Sequence, residues 1–401
     1  MIKINKVIFF DKVVMLLLVL APIANIYGNP ESSFTYFSLL SIMLSFVFIL
    51  KGRLANRNIN SIIFWGMGWY FIYWGFMSVL CDFSLPLGVI QVFLVYILYY
   101  GCFQKDIFIR FFKIVAIVCV VFFFVQYIGY MTTGFRISGI FSFLPLHDIG
   151  NAKAFVEMKI HTERSSSFFS EPSHFAQFLV PLLAIELFYD KNKRHLLFSL
   201  IIVIAVLLSQ SGTGIVAISP IIYFFVFYYF RDKIKSKGTR ILLMILTMII
   251  LSSIASYFLG SEVGEELMSR TDELSMSYEG GSRSGFLRVW RGYYVYNDYS
   301  ILEKIFGNPS QQAILSHVIS SKMSFGMAAE LYFNAVQFIL LNTGLLGMVI
   351  FILIIRHIWI GNTTCGKAIL CSLIAIALVE HIYFNHVMLV HLLLAQSMKS
   401  R

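Results

Sequence analysis

The stretch RSSSFFSEPSHFAQFLVPLLAIELFY, residues 164–189, governs the reading of the chain around it. It begins as a polar loop and turns apolar from Phe175 to about Tyr189. Arg164, Glu171 and His174 stand where the loop meets the apolar run. Ionisable groups at the edge of hydrocarbon are expensive, about 2.5–3.5 kcal/mol at the centre of a membrane helix and less toward its ends. They are usually kept where they line a polar cavity. An acid, a base and an arginine converging there point to chemistry on a charged substrate at a membrane surface.

The surrounding composition agrees. Of 401 residues, 58% are hydrophobic and 13% charged, with 40 Phe and 21 Tyr. Soluble domains are about a quarter charged. The apolar segments are too long and too unalternating for an outer-membrane β-barrel. A helix needs about 20 apolar residues to cross a bilayer, and runs of that kind lie at roughly 13–28, 33–50, 60–80, 85–103, 108–131, 173–189, 195–209, 214–230, 241–260, 328–355 and 368–383. A short pass at 385–398 completes twelve, although His381, Asn385, His386 and His391 interrupt the last two. The expected fold is an all-α polytopic integral membrane helical bundle, one transmembrane domain over residues 1–401.

Orientation follows from Lys and Arg in short loops. With the N-terminus inside, 21 of the 31 basic residues collect on the cytoplasmic side, among them Lys105, Lys113, Arg356, Lys367 and Lys399. The outer turns near 29–32, 81–84 and 210–213 carry none. The remaining basic residues lie in two long outer loops, 132–172 and 261–327, expected to be periplasmic. The net charge of +10 therefore obeys topology and does not signal nucleic acid, while the basic outer loops imply an anionic partner. Lys3 and Lys6 before Val13–Leu20 imitate a secretory signal, but no Ala-x-Ala follows and Asp11-Lys12 breaks the run, so this segment reads as a first membrane helix. Cys81, Cys102, Cys119, Cys365 and Cys371 show no CxxC or metal spacing and read as small core residues.

Several motifs carry chemistry, each with a plainer alternative. Glu171-Pro172-Ser173 is a helix start, with proline in the first turn and a carboxylate at the positive end of the dipole. Glu171 is thus either a capping acid or part of a site with His174 and Arg164. Ser209-Gln-Ser-Gly-Thr-Gly214 closes an outer turn and lacks the Lys-Ser/Thr ending of a P-loop. In the second loop Arg283, Arg288 and Arg291 lie among Trp290, Tyr293 and Tyr294. On a helix Arg288 and Arg291 share a face. Arginine grips phosphate bidentately and the aromatics can stack on sugar rings; the alternative is an amphipathic helix on the outer leaflet. Glu330 and Asn334 open the next span, which contains Gly344 and Gly347.

In this order the motifs resemble the bacterial O-antigen polymerase and ligase superfamily. The resemblance covers roughly residues 160–350. It rests on Arg164 with Phe-Ser-Glu-Pro-Ser-His-Phe-Ala, the Ser-x-Ser-Gly-Thr-Gly turn, Arg288-Val-Trp290 through Phe-Gly307-Asn, and Asn334 through Gly344-Leu-Leu-Gly347. It implies a metal-independent glycosyltransferase, without cofactor, acting on undecaprenyl-diphosphate-linked oligosaccharide at the outer leaflet of the inner membrane. A chain-length regulator and a flippase are implied as partners, with membrane lipid around it. Ligase-like members often carry His before the Asn of the last motif; here that position is Phe333, which favours polymerase.

On this expectation Arg164 and Arg288 hold the diphosphate, with Arg283 and Arg291 in support. Glu171 or His174 deprotonates the acceptor hydroxyl. Trp290, Glu330 and Asn334 complete the binding set. Ligase activity is the nearest alternative. A flippase or other transporter would instead place charges in mid-membrane along a pathway.

Overall fold

The computed structural model describes residues 2–30, 34–50, 62–81, 86–141, 143–147, 152–162, 164–189, 195–233, 236, 238–239, 287–310, 314, 316 and 333–399. The span expected at 241–260, Arg283 and Glu330 lie outside them.

The described chain is all-helical, with three isolated β-bridges and no strand among the described residues. The helices are α1 Ile2–Ala24, α2 Tyr36–Leu50, α3 Ile62–Cys81, α4 Pro86–Cys102, α5 Lys105–Thr133, α6 Ala152–His161, α7 Pro172–Phe188, α8 Leu196–Leu208 and α9 Gly212–Lys233. A π-helical turn, Leu287–Arg291, leads into α10 Gly292–Asp298 and α11 Ile301–Phe306. Then follow α12 Ala335–Trp359, α13 Thr364–Ala377 and α14 His386–Ser397.

Two of them, α5 and α12, are long and apolar enough to cross a membrane. The others in the apolar set are shorter, such as α7 with 17 residues, α13 with 14 and α14 with 12. Caps set two of the helix starts. Asn334 Oδ1 accepts from Gln337 N and Gln337 Oε1 accepts from Asn334 N, so α12 starts at Ala335 and not at 328. The Asn385 side chain accepts from the Val387 and Met388 amides and opens α14.

Helix α7 is buried along almost its whole length. It packs against α8, α9 and α13. Gly214 of α9 lies so close to α7 that a Cβ there would stand 2.6 Å from Ala176 Cβ. Helix α12 packs against α3 and α11 and bends at Gly344, where φ is 61° and ψ −164°. Gly307, at the end of α11, lies against the backbone of Asn342 and Thr343 beside that bend. Tyr70 of α3 braces it, its hydroxyl 3.2 Å from Thr343 Oγ1 and 3.1 Å from Tyr383 Oη.

The helix ends sort by chemistry. One end holds Lys113 paired with Glu186 at 2.8 Å, Tyr189 bonded to Asp106 at 2.9 Å, and Lys105 over the Tyr189 ring. The opposite end gathers the starts of α7, α9, α12 and α14, the end of α13, and the first loop.

Candidate functional site

The first loop is built on α5. Gln126, buried in that helix, donates to the carbonyls of Ile137 and Ser167 and accepts from Ser167 N at 2.8 Å. Ser167 Oγ donates to the Cys119 carbonyl at 2.8 Å. These bonds hold Ser167 at φ 54°, a conformation that costs a non-glycine residue of order 1–3 kcal/mol. Gln210 (φ 51°) and Phe384 (φ 47°) share it. All three lie at the same end of the bundle, and strain of this kind concentrates at functional sites.

Beneath the loop sits Lys159 of α6, 4% exposed. Its ammonium donates to Ser166 Oγ at 2.6 Å, to the Ser170 carbonyl at 3.1 Å and to the Phe169 carbonyl. Burial pulls its pKa down to about 7; the nearby Glu171 charge opposes that shift and Arg136 adds to it. Arg136 is itself buried and lies 4.7 Å from the Tyr130 ring centroid. Lys159 thus shapes the backbone that leads to the helix start. Sequence reading missed it, since a lysine between Met158 and Ile160 in a long loop gives no sign of being buried.

Along that segment, Arg164 Nη2 donates to the Gln210 carbonyl at 2.9 Å. Ser170 Oγ lies 2.8 Å from His174 Nδ1, which fixes the imidazole on the first turn of α7. Glu171 occupies the N-cap position with extended backbone, but its side chain makes no capping bond. It is exposed and accepts from Ser173 Oγ at 3.0 Å. The Glu171 side chain therefore does not cap α7 by a hydrogen bond to its first amides.

The turn between α8 and α9 is a junction. Gln210 receives Arg164, and Thr213 Oγ1 donates to Glu380 Oε1 at 2.7 Å. Glu380, 8% exposed just beyond α13, also accepts the Ala335 amide through its carbonyl at 2.9 Å. Asn334 Nδ2 donates to the Leu378 carbonyl at 2.8 Å. Gln337 Nε2 donates to the Val289 carbonyl at 2.6 Å, tying the π-helical turn to α12. Bonds thus run in sequence from Arg164 to the segment carrying Trp290 and Arg291. Glu380 is the second group that sequence reading passed over. A lone carboxylate closing an apolar run was visible, but the adjoining histidines drew the notice.

The expected binding set divides. Arg164, Glu171 and His174 share one segment. Arg291 is buried, 1% exposed, within the π-helical turn and not on an open cationic face, and burial lowers its pKa. Arg288 belongs to the same turn, but only its backbone is described. Trp290 is partly buried. Asn334 is fully buried, where its side chain caps α12. The arrangement offers a hydroxyl-bonded imidazole, two carboxylates and several cations, which suits charge neutralisation and proton transfer. Among the described residues no group of three His, Cys, Asp or Glu is placed to hold a metal ion. Comparison with known proteins finds no matching family model, curated protein or solved structure.

Proposed function

We propose that this chain is a membrane-embedded glycosyltransferase that polymerises undecaprenyl-diphosphate-linked repeat units into surface polysaccharide. Its reaction lies at the outer leaflet of the bacterial inner membrane. The observation that carries this reading is the linkage at one end of the bundle of the Arg164–His174 segment, the Ser209–Gly214 turn, the start of α12 and the Trp290–Arg291 turn.

The membrane setting draws on the faces of α5. Phe108, Phe112, Ala116, Cys119 and Phe123 turn inward, while Ile114, Ile117, Val118, Val121, Val125 and Ile128 are exposed. A helix apolar all round belongs in a core or a bilayer, and here the second face has no cover among the described residues. Twelve spans, an inner N-terminus and periplasmic loops at 132–172 and 261–327 belong to this proposal.

Chemically, the acceptor hydroxyl attacks the anomeric carbon as undecaprenyl diphosphate leaves. The leaving group is already good, so the site must position the reactants and neutralise charge. Arg164 and Arg288 are assigned to the diphosphate, with Arg283 and the buried Arg291 behind them. Glu171 or His174 takes the proton. Glu330 and Trp290 are assigned to the sugar, whereas Asn334 shapes the site by capping α12.

Glycan composition of a deletion strain tests the activity. Loss of a polymerase leaves lipid A–core capped with a single repeat; loss of a ligase leaves it uncapped. Cysteine labelling tests the setting: residues 140–147 should react from outside and Lys367→Cys from inside.

A further inference from the structure

We propose that the groove between α3 and α12 holds an acyl chain of one anionic phospholipid of the cytoplasmic leaflet, with the headgroup phosphate at Arg356 and Lys399. This inference rests on the membrane setting proposed above and not on the reaction.

Gly66, Trp69 and Tyr73 of α3 line the groove opposite Leu353, Ile354 and His357 of α12. Its volume is about 450 Å³, within the roughly 300–1,000 Å³ of ligand sites. From Gly66 to Tyr73 it follows two turns of helix, about 10 Å at 1.5 Å per residue. Gly66 shapes the floor. A Cβ there would stand 3.2 Å from Ile354 Cγ1, so the lack of a side chain lets the two helices approach. Trp69 and Leu353, both exposed, form the rims.

The wall selects an alkyl chain. It is almost wholly apolar, and the Tyr73 hydroxyl is taken by the Phe306 carbonyl at 2.7 Å. A sugar or an ion would find next to nothing to bond. The groove opens on an apolar face: Trp65, Ile72 and Phe76 of α3 and Val349 and Ile352 of α12 are exposed beside it. In the proposed setting that face borders hydrocarbon, so the occupant enters from the bilayer.

Charge selects the headgroup. His357 stands at the end of the groove nearest the end of α12, with the exposed Arg356 beside it. Lys399 Nζ donates to the His357 carbonyl at 3.1 Å, which fixes a second cation at that end. An ammonium has three donors, and this bond uses one. Residues 62–81, 331–379 and 381–401 contain no Asp or Glu, so neither wall of the groove supplies a carboxylate to compete with a phosphate. Basic pockets between membrane helices on the cytoplasmic side suit anionic headgroups.

The test places the full chain in phosphatidylcholine nanodiscs with a small fraction of lipid carrying brominated acyl chains, which quench tryptophan on contact. Brominated phosphatidylglycerol should quench more than brominated phosphatidylcholine at the same fraction. Trp69→Phe should lose most of that excess. Arg356→Gln should reduce it, and adding Lys399→Gln should abolish it. Arg356→Gln alone removes no side-chain hydrogen bond or ion pair seen among the described residues, so a fall in that variant reports the headgroup and not the fold. Equal quenching by the two lipids overturns the proposal, as does an excess that survives Trp69→Phe or the double variant. Oxidative cross-linking of Leu353→Cys to a second copy, or to Ile250→Cys in the apolar run at 241–260, would mean that protein fills the groove and would overturn it too. Quenching by brominated phosphatidylcholine reports the exposed Trp65 and hence the membrane setting. Its absence would overturn the setting, whereas its presence without the phosphatidylglycerol excess would overturn the lipid site alone.

Discussion

Arg164 donates from Nη2 to the carbonyl of Gln210 at 2.9 Å, fastening the first loop to the turn between α8 and α9. Gln210 holds a left-handed backbone, φ 51°. The guanidinium therefore has a structural duty in addition to the proposed grip on diphosphate.

The two duties separate by substitution. Arg164→Ala should abolish long-chain glycan and also loosen residues 152–171 to limited proteolysis. Arg164→Lys should keep the loop bond and restore polymerisation only in part, because a lysine lacks the bidentate fork. Gln210→Gly should remain near wild type, since the acceptor is a main-chain carbonyl and glycine adopts that φ freely. Arg288→Ala should lose long-chain glycan at unchanged protein level. Full activity of both alanine variants would remove the diphosphate clamp.

Docking of the first loop should strengthen as pH rises. The Lys159 amine titrates at about 7 in the fold against 10.5 for a free lysine, chiefly through burial. Between those values the unfolded loop binds more protons, so stability rises with pH across that window and is lowest below pH 7. The slope is at most about 1.4 kcal/mol per pH unit. Hydrogen exchange of residues 152–171, corrected for intrinsic rates, should show protection growing from pH 7 to 9. Lys159→Met should flatten the dependence, and a slope of the opposite sign would refute the assignment.

Much of the all-helical architecture was legible because it rests on long apolar runs, and α2, α3, α4, α7 and α8 begin and end within a few residues of those runs. The run at 328–355 overshoots because Asn334 sets the start of α12 through hydrogen bonds that hydropathy does not register. The site was legible only in part. Arg164 and His174 are contiguous with a motif, whereas Lys159, Gln126 and Glu380 act across 7 to 167 residues of sequence. Their roles depend on packing that brings distant helix ends together. Arg291 shows the converse: a basic residue in a basic loop reads as exposed, and the π-helical turn buries it.

Thr213 and Glu380 join α9 to the chain beyond α13, and through the Glu380 carbonyl to the first amide of α12. Thr213→Val removes this hydroxyl donor to the buried carboxylate, at a cost of about 1–3 kcal/mol. Thr213→Ser should retain most of the stability. Thermal unfolding in detergent measures both, and a Val variant as stable as wild type would show that the hydroxyl bond contributes nothing.

The remaining prediction separates Glu171 as general base from Glu171 as a structural residue. Its carboxylate is exposed and bonded to Ser173 Oγ, not to the amides of α7. Losing a working cap costs about 0.5–2 kcal/mol, but no such bond exists here to lose. Glu171→Gln should therefore change the melting temperature little, within the roughly ±0.5 kcal/mol of a surface substitution. It also removes the charge that holds the Lys159 pKa up, so the pH window of loop docking should begin lower. If Glu171 takes the proton, Gln abolishes polymerisation in a normally folded protein, and Asp, one methylene shorter, is strongly impaired. If Gln and Asp both polymerise normally, the role passes to His174, whose imidazole is held by Ser170 Oγ at 2.8 Å. His174→Gln should then remove activity in a normally folded protein. Ser170→Ala should lower activity without abolishing it, because the ring keeps its chemistry and loses only its orientation. Normal polymerisation by Glu171→Gln and His174→Gln alike would exclude both as the base and direct the search to Glu380.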